Sequence, residues 1–218
     1  MKRFAIFGAS GFGREVLPLV RHELRQTEAP PWDLVFVDDH PQKQQLNGLR
    51  VLNYHQWLAE PAESRHICLS IGNSSLRETL LSRCVMDNVA VFDVKAANVI
   101  IMDDVDIGEG FILSPFVTLT SNIRIGHQFH ANIYSYVGHD CVIGNFVTFA
   151  PGVHCNGNVQ IEDHAYIGTG AALRQGKPSE PLVVGRSAIV GMGAVVTRNV
   201  APGTTVVGNP ARVMESRV

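Results

Sequence analysis

The chain is poor in charge, in aromatic residues and in cysteine. Only 17% of its 218 residues are charged, the formal net charge is −2, and aromatic residues make up 7%. Nucleic-acid binding through an electrostatic footprint needs a strong basic excess, and none is present. Long apolar runs are missing as well: none approaches the roughly 18 residues of a membrane-spanning helix, so no membrane insertion is expected. The start, MKRFAIFGAS, is basic and then apolar like an export signal. Its apolar run is only FAIF, and glycine follows at once, so it reads as the first strand of a cytoplasmic protein. Cys68, Cys84, Cys141 and Cys155 show no CxxC spacing and read as reduced, small hydrophobic residues. The hydrophobic content, 45%, is that of a globular protein long enough for one large domain or two small ones.

The two halves follow different rules. RFAIFGA is a buried strand ending in glycine, and GREVLPLVRHELRQ follows with Val16, Leu19, Val20 and Leu24 at helical spacing. Pro18 is placed near the first turn, where proline costs least. PPWDLVFVDDH gives a second strand, NYHQWLAE a short helix, HICLSIGN a third strand, and SSLRETLLSRCV a helix capped by Ser74 or Ser75. This βαβαβα order predicts a small parallel sheet covered by helices, a Rossmann-like α/β domain over residues 1–97.

From Ile101 every sixth residue is apolar through Leu173, and the residue four further on is small or apolar throughout. After Leu173 the phase slips by five residues and resumes at Val184, Val190 and Val196. A period of six fits neither a helix nor a simple meander; it predicts a parallel β-helix of hexapeptide repeats over residues 98–218. Three hexads make one triangular coil, so residues 18 apart stack. His139 then lies between Ser121 and Gly157 with Gln175 one coil further, and Asp140 shares a column with Asn122 and Asn158. Gly157 is expected to leave space beside the imidazole, and the five extra residues leave the prism close to this column.

A His-Asp pair on a polar corner is either a solvated turn or a base with its orienting acid. Imidazole, with an ordinary pKa near 6.5, takes a proton at neutral pH, and a carboxylate on its other nitrogen fixes the tautomer. Adjacent residues on a strand face opposite ways, which argues against contact between them; a bend at the corner weakens that objection. GASGFG places Gly8, Gly11 and Gly13 between a strand and a helix, where backbone N–H groups suit phosphate. The spacing is GxxGxG, so a dinucleotide fingerprint is not implied. Asp38 and Asp39 end the second strand, where an acidic residue meets a ribose in such folds.

VIGNFV, YIGTGA, IVGMGAVVTRNV and the ending APGTTVVGNPARV resemble the hexapeptide acyltransferases. Joined to FGASGFGREV and VFVDD, they are similar to the bacterial sugar acetyltransferases of the sialic-acid O-acetyltransferase and nucleotide-4-amino-sugar N-acetyltransferase type. The resemblance covers essentially the whole chain and includes GHDCVIG. It implies a left-handed β-helix, a homotrimer, acetyl-CoA as donor and a nucleotide-linked sugar as acceptor. It implies His139 as general base with Asp140 behind it, and acetyl-CoA along Gly157, Thr169, Gly191 and Gly193, largely through backbone. It implies that Ser10, Gly11, Arg14, Asp38 and Asp39 cradle the nucleotide, with Phe12 where many relatives carry histidine, and Asn73 facing the same crevice. The left hand comes from the resemblance alone, because general connection rules favour the right. The acceptor is read first as the 4-amino group of a nucleotide-linked sugar in surface-glycan biosynthesis. The alternatives are a sugar hydroxyl, as in O-acetylation of sialic acid or a polysaccharide residue, and a non-catalytic β-helix assembly module. His127, His130, His154 and His164 fall in scattered columns and are expected to be mostly polar corner residues, with no metal bound.

Overall fold

The structure, a computed structural model, describes residues 1–214 and divides into two compact units, Met1–Val94 and Lys95–Val218. The last four residues of the expected C-terminal domain lie outside the described residues. The first unit runs β1 (Lys2–Phe7), α1 (Gly11–Thr27), β2 (Trp32–Val37), β3 (Gln45–Leu46), β4 (Leu49–Leu52), α2 (Tyr54–Ala59), β5 (Arg65–Leu69), α3 (Ser74–Met86) and β6 (Ala90–Val91). Its sheet has the order β3-β4-β2-β1-β5-β6, parallel except for the β3–β4 hairpin. Phe4–Phe7 and Leu34–Val37 are buried without alternation, as strands covered on both faces require. The parallel strands lie in the doubly wound order, whose loops at the strand C-terminal ends form a crevice beside β1.

Local details depart from the expectations. The buried face of α1 is Val16, Leu17, Val20 and Leu24, with Leu17 in the place expected for Leu19. Pro18 is the helix's eighth residue, well past the first turn, so its missing N–H interrupts the ladder mid-helix. Asn73, not a serine, caps α3: its Oδ1 accepts from the Leu76 amide at 2.9 Å. The hairpin turns on Asn47 (φ 48°) and Gly48 (φ 79°), the left-handed pair that a two-residue type I′ turn demands.

The second unit is a left-handed parallel β-helix whose three faces are sheets of eight, six and five strands. Ile112 pairs with His130, Thr118 with Tyr136, and Ile125 with Ile143, all 18 residues apart. Below the insertion the partners are Ile161 with Val184 and Leu173 with Val196, 23 apart. The extra residues form a tight loop in which Lys177 and Glu180 exchange both backbone hydrogen bonds at 3.0 Å. Both six-residue ladders point inward and form one continuous core from Leu113 to Val206. Each fully buried Val, Leu or Ile there stabilises by about 1.5–3 kcal/mol. The ladder's first step is the exception: Ile101 is 37% exposed, on a coil with no coil above it.

The corners have a period of their own. From Asp104 to Gly170 every sixth residue has a positive φ, between 54° and 80°. Glycine, Asn and Asp take this conformation with little strain. Phe116 and Phe146 do not, and each finds a stacking partner one coil on: Phe116 lies 4.9 Å from Tyr134, and Phe146 lies 5.1 Å from His164.

Candidate active site

His139 and Asp140 occupy the corner between the six-stranded and five-stranded faces, after Tyr136–Val137 and before Val142–Ile143. Asp140 is one of the left-handed corners, with φ 57°. That backbone twist swings its carboxylate back toward its neighbour, and Oδ2 lies 2.7 Å from His139 Nδ1. Asn122, one coil above, donates from Nδ2 to Asp140 Oδ1 at 3.3 Å, and the Asp140 amide donates to Ser121 O at 3.1 Å. The hydrogen bond from His139 holds the Asp140 carboxyl below its usual range; partial desolvation opposes the shift and the Asn122 amide reinforces it. The carboxylate is therefore ionised at neutral pH, accepts the proton of Nδ1, and leaves Nε2 as the basic nitrogen. Both side chains are about half exposed, at 51% and 47%.

The space beside the imidazole is not open. A Cβ on Gly157 would lie 2.5 Å from His139 Nε2 and 2.6 Å from Cε1. The ring itself fills the gap that the glycine leaves. Gly157 O accepts from the Gly176 amide at 2.9 Å, so the inserted loop departs one coil below the imidazole.

The four residues expected along acetyl-CoA do not share a corner. Thr169, Gly191 and Gly193 belong to the corner between the eight-stranded and six-stranded faces, one corner away from Gly157. Two of the backbone amides are already engaged: Gly191 N–H donates to Val206 O and Gly193 N–H to Thr169 O, each at 2.8 Å. A Cβ on Gly193 would meet nothing within 4 Å, so this glycine faces open space.

In the α/β unit, Ser10, Arg14 and Asp38 line one cavity of about 310 Å³, together with Ala9, His40, Gln42, Lys43, Leu46 and Val51. Gly13 is required at its place, because a Cβ would collide with Gly8 O; Gly11 has only Arg14 Nη2 near, at 3.9 Å. Asp38 spends its carboxylate on backbone, accepting from Ala9 N–H at 3.1 Å and His40 N–H at 3.0 Å. Asp39 accepts from the Tyr54 amide at 3.3 Å and pairs with Arg83 at 2.7 Å, which places it at the start of α2. Asn73 is spent on its cap, and neither it nor Gly11, Phe12 and Asp39 lines this cavity. Lys43, His40 and the hairpin residues Leu46 and Val51 were not anticipated; the Asn-Gly turn signal at residues 47–48 would have pointed to the last two.

The histidines divide further than expected. His130 and His154 sit on strands, not corners; His130 is fully buried and His154 stacks on Tyr136 at 5.2 Å. Among the described residues no group of three or more His, Cys, Asp or Glu could hold a metal ion. The four cysteines are free and buried. No helix among the described residues is long and apolar enough to cross a membrane.

Residues 3–84 match the PglD N-terminal domain. The chain is 46% identical over 215 residues to the GDP-perosamine N-acetyltransferase of Escherichia coli O157:H7, covering 99% of this chain and 97% of that protein. It belongs to the bacterial sugar N-acetyltransferases. Among solved structures, this sugar N-acetyltransferase is similar to WeeI from Acinetobacter baumannii AYE, with 53% identity and a TM-score of 0.95 over 98% of this chain and 100% of that one. It is also similar to the acetyltransferase domain of PglB from Neisseria gonorrhoeae FA1090, determined with acetyl coenzyme A, with 26% identity and a TM-score of 0.83 over 97% and 98% of the two chains.

Proposed function

We propose that the chain transfers the acetyl group of acetyl-CoA to the 4-amino group of a GDP-linked sugar, with His139 as general base. The observation that carries this reading is the imidazole itself: Nδ1 is held by an ionised carboxylate at 2.7 Å, while the ring rests on Gly157. The sugar nitrogen attacks the thioester carbonyl, Nε2 takes the proton that the nitrogen loses, and the C–S bond breaks. The proton then passes to the departing thiolate. A positioned base of this kind contributes roughly 10²–10⁴-fold. Acetyl-CoA supplies the activated acyl group, as the neighbour determined with acetyl coenzyme A supports. GDP is favoured over UDP and dTDP because the full-length relative at 46% identity is named for GDP-perosamine. The same name puts an amine ahead of a hydroxyl as the acceptor, and ahead of a non-catalytic role.

Ser10, Arg14 and Asp38 are assigned to the nucleotide, Arg14 and Lys43 supplying positive charge for its phosphates. Gly11, Phe12, Asp39 and Asn73 do not line that cavity and are left out of this assignment. Gly157 and the Thr169, Gly191 and Gly193 corner are assigned to acetyl-CoA. Because these lie on two corners of one prism, the assignment fits a homotrimer in which the co-substrate runs between neighbouring chains, in the cytoplasm where nucleotide sugars and acetyl-CoA meet.

The test is a screen of GDP-, UDP- and dTDP-linked 4-amino sugars with acetyl-CoA, following released thiol. The expected result is turnover with a GDP-linked 4-amino sugar that drops by at least ~10²-fold in His139→Ala, with the fold intact. Turnover confined to hydroxyl acceptors, or a fully active His139→Ala, overturns the reading.

A further inference from the structure

We infer that Asn156, locked by Tyr136, is the positioning residue that fixes the platform beneath His139. The inference rests on the reading of His139 as base. Asn156 immediately precedes Gly157, and the Asn156–Gly157 peptide fills the Cβ space of Gly138, at 2.7 Å from both Asn156 C and Gly157 N. This peptide is thus confined between the residue before His139 and the imidazole that rests on Gly157. Any rotation of it would tilt the ring or break its contact with Asp140.

Asn156 restrains that peptide at three points. Its Nδ2 donates to Leu173 O at 2.7 Å, on the coil below. Its Oδ1 accepts from the Tyr136 hydroxyl at 2.8 Å, on the coil above. Its own carbonyl accepts from Cys141 Sγ at 3.2 Å, across the same corner. The first of these bonds is an ordinary device of the prism, since Thr120 and Asn132 also bond the carbonyl 17 residues on. The second is different in kind. Tyr136 reaches down past its strand neighbour, its ring stacked on His154 at 5.2 Å, to hold the far side of the amide. With both amide atoms engaged, Asn156 cannot flip. Its hydrogen bonds span three consecutive coils at the peptide on which the imidazole rests.

Positioning of this kind acts on the chemical step, because small displacements of a base from the reacting atom lose rate without loss of binding. Tyr136→Phe removes one hydroxyl and keeps the ring stack. It is expected to lower kcat by about 10-fold, to leave KM for both substrates within about twofold, and to leave Tm close to that of the wild type. The His139 Cε1–H resonance should broaden or shift in the same variant. Asn156→Ala should lower kcat further, and Asn156→Gln, which cannot reach both partners, should not rescue it. Because Asn156→Ala removes a coil-to-coil bond and could fail to fold, Tyr136→Phe is the deciding variant. A kcat within twofold of wild type in Tyr136→Phe, or a loss confined to KM, overturns the inference. If His139→Ala is fully active, the base reading itself falls; if His139→Ala is dead and Tyr136→Phe is normal, only the positioning role falls.

Discussion

Neighbouring residues on an extended strand point to opposite faces, and His139 and Asp140 would do so if φ at Asp140 were negative. The left-handed φ of 57° turns the carboxylate onto Nδ1. An Asp tolerates that conformation better than a bulky residue does, so one side chain both makes the corner and holds the imidazole. The pH behaviour follows from the direction of its shift. The folded carboxyl is held below the usual Asp value, so the stabilisation from this pair is complete above that value and is lost only as the pH falls through the lower folded one. With both side chains about half exposed, the effect on stability is small, and the effect on orientation is what matters. Asp140→Asn should lower kcat by about 10²-fold while the acid limb of the pH–rate profile persists, because Asp140 is already ionised throughout the working range. If the acid limb disappears in Asp140→Asn, the limb belongs to Asp140 and the assignment of roles is wrong.

At the scale of elements, the loop from β1 into α1 shows two glycines with different duties. Gly13 is a packing glycine, where a Cβ would strike Gly8 O; Gly11 faces open space at the helix N-terminus. Gly13→Ala should therefore destabilise the α/β unit by about 1–3 kcal/mol, the usual cost of overpacking. Gly11→Ala should leave Tm unchanged or slightly raised, since alanine is the better helix former. If the loop contacts the acceptor's phosphates, Gly11→Ala raises KM for the nucleotide sugar and not for acetyl-CoA. An unchanged acceptor KM would place the phosphates elsewhere, which thermal denaturation and steady-state kinetics on the two variants decide together. The sequence carried most of this architecture, because burial enforces it: two inward positions in each hexad must be small or apolar, and that pattern survives from Leu113 to Val196. It carried less where backbone conformation or competition for hydrogen bonds decides. Pro18 in mid-helix, the cap taken by Asn73 instead of Ser74, and the ring of His139 closing over Gly157 leave no periodic trace. Asp38 and Asp39 were legible as acids at a strand end, but not that backbone amides and Arg83 already occupy them.

At the scale of the whole molecule, the β-helix keeps apolar side chains on its outer surface that a solitary prism has no reason to show. Phe116 and Tyr134 stack on each other yet remain 52% and 61% exposed, and Met192, on the corner of Thr169 and Gly193, is 77% exposed. Exposed apolar side chains of this kind are what a contact between chains would cover. All of these residues lie along the corner between the eight-stranded and six-stranded faces, one corner away from His139. A cyclic trimer joins one corner of each chain to a different surface of the next, which would bring this apolar corner to a neighbour's surface. Light scattering should then give three times the 23.8 kDa chain mass for the wild type. Tyr134→Glu places a charge in the stack, one corner away from His139 and Asp140. It should lower the mass and the turnover together, and the lost turnover should return as protein concentration rises, because association is a mass-action equilibrium. A monomeric wild type, or a monomeric Tyr134→Glu with full turnover at every concentration, would show that one prism suffices. The Thr169, Gly191 and Gly193 corner would then have no part in the site that contains His139.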